Sequence, residues 1–154
     1  MKTEKSGRKQ NGRNRHYRRL ERMYATGRCN VYYRPLIEIG RGSAKVTIEI
    51  RPDFFHSGGA VHGSVYFKAL DDAAFFAVNA LVEDVLVLTT SFHIHLLRPV
   101  SRGTLTATGK VVSAGRTYFV AEARLTDSRG REIARGSGTF VRGKVPLSPE
   151  IGYI

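Results

Sequence analysis

Two groups of residues in this chain could do chemistry, and they lie next to each other. One is the turn His56-Ser57-Gly58-Gly59-Ala60-Val61-His62-Gly63-Ser64, small residues leading into a long apolar stretch from Val65 to Val82. The other is a pair of carboxylates, Asp71 and Asp72, set inside that stretch. Glycines at a helix start let a ligand approach the backbone, and the free N–H groups of a first turn stabilise negative charge. A carboxylate in an apolar helix is costly unless it has a partner or a task. Together they fit a site that binds a carbonyl and acts on it. For Asp71 the plain alternative is an exposed or ion-paired helix residue. Asp72 is read as structural, although adjacency leaves the two exchangeable. His56 carries either a site role or a loop role.

The elements that must position these groups follow from periodicity. Ala44, Val46, Ile48 and Ile50 alternate with polar residues over Ser43–Arg51, a strand ended by Pro52. A helix is expected from about 63 to 81. Four strand-like runs come next: Val85–Leu97, Gly103–Ser113, Arg116–Asp127 and Arg131–Val141. The short turns between them imply antiparallel neighbours. The expected class is α+β: one long central helix wrapped by a curved antiparallel sheet of about five to six strands, with an N-terminal helix. In the first of the four runs, strict alternation puts His93 and His95 on one face with Thr89 and Ser91. No third ligand joins the two histidines at a suitable spacing, so a polar or inter-subunit face is expected and no metal.

The chain has 154 residues, enough for one domain with a real core. Apolar runs fall short of the roughly 20 residues that span a bilayer, and the N-terminus lacks the apolar segment of a secretory signal. Cys29 is the single cysteine, which excludes an internal disulfide and suits a reducing, cytoplasmic setting. Of the formal net charge of +12, residues 1–30 carry +8. Residues 1–13 are expected to be disordered, and a short amphipathic helix near 15–26 places Tyr17, Leu20, Met23 and Tyr24 on one face. Such a helix can dock on its own domain, touch nucleic acid or an anionic surface, or serve as a targeting segment. The expected organisation is 1–30, basic tail and helix; 31–142, the domain; 143–154, a C-terminal tail.

At this point the sequence resembles the hotdog-fold acyl-CoA thioesterases, with the phenylacetate-pathway branch the most similar. The resemblance covers about residues 36–142. It rests on Gly59, His62-Gly63-Ser64, Asp71, Arg98-Pro99-Val100 with Gly103, Gly115-Arg116 and Gly138-Thr139-Phe140-Val141. It implies that the Gly63 N–H polarises the thioester carbonyl and that Asp71, nine residues after His62, is the general base or nucleophile. Thr89 matches a hydroxyl that helps hold the attacking water, and His56 stands where many relatives have Asn. His62, Ser64 and Thr90 fall in the substrate-binding set, and Ser64 replaces a second glycine. Arg98 and Arg116, with Lys110, are candidate cations for CoA phosphates.

The resemblance further implies hydrolysis of an acyl-CoA without cofactor or metal, CoA entering as part of the substrate. It implies a homodimer or dimer of dimers, with Asp71 and the Thr89 hydroxyl coming from different chains; no membrane or nucleic-acid partner is implied. The alternative is a non-catalytic acyl-CoA-binding hotdog module or regulator with a basic, nucleic-acid-contacting N-terminus. A hydratase on the same fold would need an Asp-x-Asn-Pro-x-His or His-Phe-Pro segment, and neither occurs.

Overall fold

The computed structural model describes residues 2–154, with side chains from Asn11 onward. In chain order the elements are α1 (Lys2–Ala25), α2 (Asn30–Tyr33), β1 (Leu36–Gly40), β2 (Ser43–Glu49), α3 (Gly63–Asn79), β3 (Val85–Leu96), β4 (Thr104–Ala114), β5 (Tyr118–Thr126) and β6 (Glu132–Pro146). The six strands form one antiparallel sheet in the order β1-β2-β4-β5-β6-β3. Alternation buries Val46 and Ile48 on β2, Leu105 and Ala107 on β4, and Ala121, Ala123 and Leu125 on β5. The same face takes α3 through Val65, Ala69, Leu70, Ala73 and Ala74. Each larger side chain buried there contributes about 1.5–3 kcal/mol by leaving water. Small residues let the helix sit close to the strands. At Gly109 a Cβ would collide with the backbone of Ala73 and Ala74, so the helix crosses the sheet where the sheet has no side chain.

The strand runs and the central helix appear where periodicity puts them, and four differences have physical causes. First, β1 is not among the expected strands: the four residues between Pro35 and a Gly-Arg-Gly turn show too little alternation to register. Second, α1 begins at Lys2 instead of near residue 15. Lys, Arg, Gln and Glu, good helix formers, make up most of the segment expected to be disordered, and Gly7 and Gly12 are the residues that weaken it most. Third, β6 continues to Pro146, and the following residues are not a loose tail. Leu147, Ile151 and Tyr153 join a second core with Tyr17, Leu20, Met23 and Tyr24 of α1 and Phe76 of α3. Buried His16 ties the three parts together, donating from Nε2 to the Asn79 carbonyl at 3.0 Å and accepting from the Tyr153 hydroxyl at 2.7 Å.

The fourth difference corrects the facing of β3. Thr89 pairs with Phe140 and Ser91 with Thr139, so Thr90 is an extra, bulged residue. A bulge carries the following side chains to the opposite face. Thr89 therefore shares the helix-facing side with Val87, Phe92 and Ile94, while Ser91, His93 and His95 point away. The expected common face of Thr89 with the two histidines does not exist.

Candidate active site

Asp71 projects from the middle of α3 into a cavity of about 770 Å³. Its Oδ1 accepts a hydrogen bond from the Thr89 hydroxyl at 3.0 Å. That aim depends on Asn79, fully buried two turns along α3. Its amide donates to the carbonyls of Val82 and Val85, and its Oδ1 accepts the Val87 N–H at 3.0 Å, fixing the start of β3. Two residues further along the same face stands Thr89. Asp71 and Thr89 thus meet within one chain, which corrects the expectation that they come from different ones. Phe75, Phe76, Leu86, Met23 and Ile151 supply apolar wall. Burial in these surroundings pushes the Asp71 carboxyl up from 3.8 to about 6; the Thr89 hydroxyl and Lys68 oppose the rise and the Asp72 charge adds to it.

Asp72 is already partnered. Its Oδ2 accepts from the Tyr24 hydroxyl at 2.6 Å and lies 2.7 Å from the Lys68 ammonium. Burial raises its pKa, with Lys68 and Tyr24 opposing. The Tyr24 hydroxyl is in turn driven upward by burial and by the Asp72 charge. This network makes the helix-internal charge tolerable and joins α1 to α3 beside Asp71.

The His56–Ser64 turn builds a different place. His62 caps α3, its Nδ1 accepting the Ser64 N–H at 3.1 Å and lying 2.7 Å from the Ser64 hydroxyl. Val65 donates to the His62 carbonyl, and the Gly63 N–H has no acceptor among the described residues. It is a free donor at a helix N-terminus. His56 folds over the same turn, with Nδ1 accepting the Gly58 N–H at 2.9 Å, so its neutral ring carries the proton on Nε2. Gly63, His56, Tyr66, Leu96 and Arg98 line a cavity of about 310 Å³ separate from that of Asp71. Eight residues of helix separate Gly63 from Asp71, about 12 Å at 1.5 Å per residue. A single reacting carbonyl cannot reach both in the same chain.

The thioesterase superfamily model matches residues 58–134, half of the chain. The chain belongs to the thioesterase superfamily. Among curated relatives, the Saccharolobus solfataricus protein bearing the name "Putative esterase SSO2140" is 29% identical over 105 residues, covering 68% of this chain and 75% of that one. In fold, the Escherichia coli PaaI protein from the phenylacetic acid degradation operon superposes with a TM-score of 0.80 at 22% identity, over 88% of this chain and 98% of that one. The Haemophilus influenzae thioesterase HI1161 gives a TM-score of 0.72 at 17% identity, over 78% and 85%. The fold is the hotdog fold of these thioesterases.

Within this superfamily member, the other expected site residues scatter. Thr90, the bulged residue, hydrogen-bonds to Thr139 on β6 and does not line the Asp71 cavity. Arg98 borders the Gly63 cavity, whereas Arg116 sits in the β4–β5 turn, at the far end of a strand about 35 Å long. Lys110 lies on β4 opposite Glu122. These three cations do not converge within one chain. Among the described residues no cluster of three or more His, Cys, Asp or Glu could hold a metal ion, and no helix is long and apolar enough to cross a membrane. Sequence reasoning misses Lys68 and Tyr24. Lys68 has a visible signal, four residues before Asp72 on the same helix face. Tyr24 has none, being 48 residues away in sequence.

Proposed function

We propose that this chain hydrolyses an acyl-CoA thioester to a carboxylic acid and free CoA, in a site shared between two copies. The observation that carries the reading is Asp71: a half-buried carboxylate with a raised pKa, held by Thr89 at the wall of a largely apolar cavity. Such a group is poised to take a proton near neutral pH. Asp71 draws a proton from water as the oxygen adds to the thioester carbonyl, with Thr89 positioning the carboxylate. The Gly63 N–H of the second copy, at its helix N-terminus, stabilises the developing oxyanion, and donors of this kind are worth about 3–4 kcal/mol. The C–S bond then breaks, and the thiolate takes the proton back from Asp71. His56 beside Gly63 offers its Nε2–H to the carbonyl or the water. Attack by Asp71 itself, through an anhydride, uses the same geometry.

The 12 Å spacing of Gly63 and Asp71 supports the shared site. So does β3, a twelve-residue strand at the end of the sheet with one edge unpaired in the chain. A long free edge is suited to pairing with a second copy. α1 spends its apolar face on closing the Asp71 cavity, which favours the enzyme over a nucleic-acid-contacting regulator. The test is thiol release across short, medium, long and aromatic acyl-CoAs. Asp71→Asn is expected to lose about 10²-fold or more in kcat while remaining a folded assembly. Turnover near wild type in that variant overturns the assignment, and a full loss in Asp72→Asn alone transfers it.

A further inference from the structure

Next to the Gly63 cavity lies another cleft, of about 400 Å³, between the β3–β4 connection and the β5–β6 turn; Pro99 lines both. Arg102, Arg129 and Arg131 border it, against Asp127 as the only acid. Asp127 is fully engaged. Its Oδ1 accepts the backbone N–H groups of Arg129 and Arg131 at 2.9 and 3.0 Å, and its Oδ2 takes the Arg131 guanidinium at 2.8 Å. Arg131 is thereby neutralised. Arg102 and Arg129 have no acidic partner among the described residues. The two loops that carry them are tied together, since the Ser128 hydroxyl accepts the Thr104 N–H at 2.7 Å. A Cβ at Gly103 would strike that same hydroxyl, so the loops meet where one of them lacks a side chain. Two uncompensated guanidinium groups held on one cleft match an anion of two or more charges, and the planar fork suits phosphate oxygens.

We propose that this cleft binds the phosphates of the substrate's CoA nucleotide, with the pantetheine arm lying along Leu97 and Pro99 toward Gly63. This rests on the acyl-CoA reading above. It assigns phosphate recognition to Arg102 and Arg129, away from Arg116 at the other end of β4. It also gives a basis for choosing the carrier. Free CoA brings a diphosphate and a 3′-phosphate, whereas an acyl-carrier protein brings a single phosphodiester, so the cleft favours CoA.

The experiment is calorimetric titration of CoA, and of pantetheine, into the wild-type chain and into the Arg102→Gln/Arg129→Gln double variant. The CoA Kd is expected to rise about tenfold or more in the double variant and to lose part of its salt dependence, with pantetheine binding unchanged. In turnover, KM for acyl-CoA should rise with kcat held. Unchanged CoA affinity in the double variant, absence of CoA binding by the wild type, or equal weakening of pantetheine overturns the proposal. Binding is read with CoA itself, so a wild type that binds CoA through both arginines yet releases no thiol removes the hydrolysis and keeps the site.

Discussion

Asp71→Asn tests the structure through stability as well as through rate. The carboxyl has a pKa of about 6 in the fold against 3.8 ordinarily, because burial disfavours its charge. At 1.36 kcal/mol per pKa unit, ionisation of this group costs the folded state about 3 kcal/mol relative to the unfolded chain. The sign follows from the direction. A folded-state pKa above the unfolded one means the protonated group favours the fold at pH below about 4, and that advantage is lost as pH rises through 6. Asn has nearly the same shape, carries no charge and can still accept the Thr89 hydroxyl on its carbonyl oxygen. At pH 8 the variant should therefore be more stable, by about 1–3 kcal/mol once partial solvent access is allowed for. For a domain of this size that is roughly 3–10 °C in Tm. The assay is thermal unfolding of both proteins from pH 4 to 8 at one protein concentration, since assembly shifts Tm. The gap should open between pH 4 and 7. A variant no more stable than wild type at pH 8, or a gap that does not change with pH, would refute the account of Asp71 as a carboxylate held against its preference.

The same raised pKa sets the rate profile: kcat/KM should fall on the acid side with a midpoint near 6, measured by thiol release between pH 4.5 and 8. Lys68→Met removes the cation 2.7 Å from Asp72, so unfolding in urea should show a loss of about 3 kcal/mol. Because Lys68 also holds Asp71 down, the acid limb of that variant should move to higher pH. Gly109→Ala places a methyl against the Ala73 backbone and should cost about 2 kcal/mol or more in denaturant unfolding. Phe67, 41% exposed and packed edge-on against Phe92 of the terminal strand, belongs to the proposed contact between copies. Phe67→Asp should lower the sedimenting mass and abolish hydrolysis together.

The features legible in the sequence are those governed by local pattern. Alternation marks β2 through β6, and the apolar run between two turn signals marks α3. The spacing of His62 and Asp71 places a helix cap and an acid on one element. The features that escape it depend on distant parts meeting or on a break in the pattern. Tyr24 reaches Asp72 across 48 residues, and Tyr153 reaches His16 across 137. Strict alternation misplaces Thr89 because nothing in Thr89-Thr90-Ser91 announces an extra residue. Of the cations expected to gather on the substrate, Arg98 and Arg116 lie in connections at opposite ends of β4 and Lys110 lies within it, positions fixed only by how the strands are joined.

The bulge at Thr90 also bears on how such a chain can change over time. Because the strand reverses its facing there, its two halves answer to different demands. The residues before Thr90 are bound to the chemistry, through Thr89 and Asp71. Those beyond it present Ser91, His93 and His95 to whatever lies outside. Substitutions in the outer half can remodel the surface without disturbing the hydroxyl on the acid. Deleting Thr90 would leave a regular strand, with Thr89 still opposite Phe140 and Ser91 opposite Thr139, so both facings and the Thr89 contact to Asp71 would survive the loss of the extra residue.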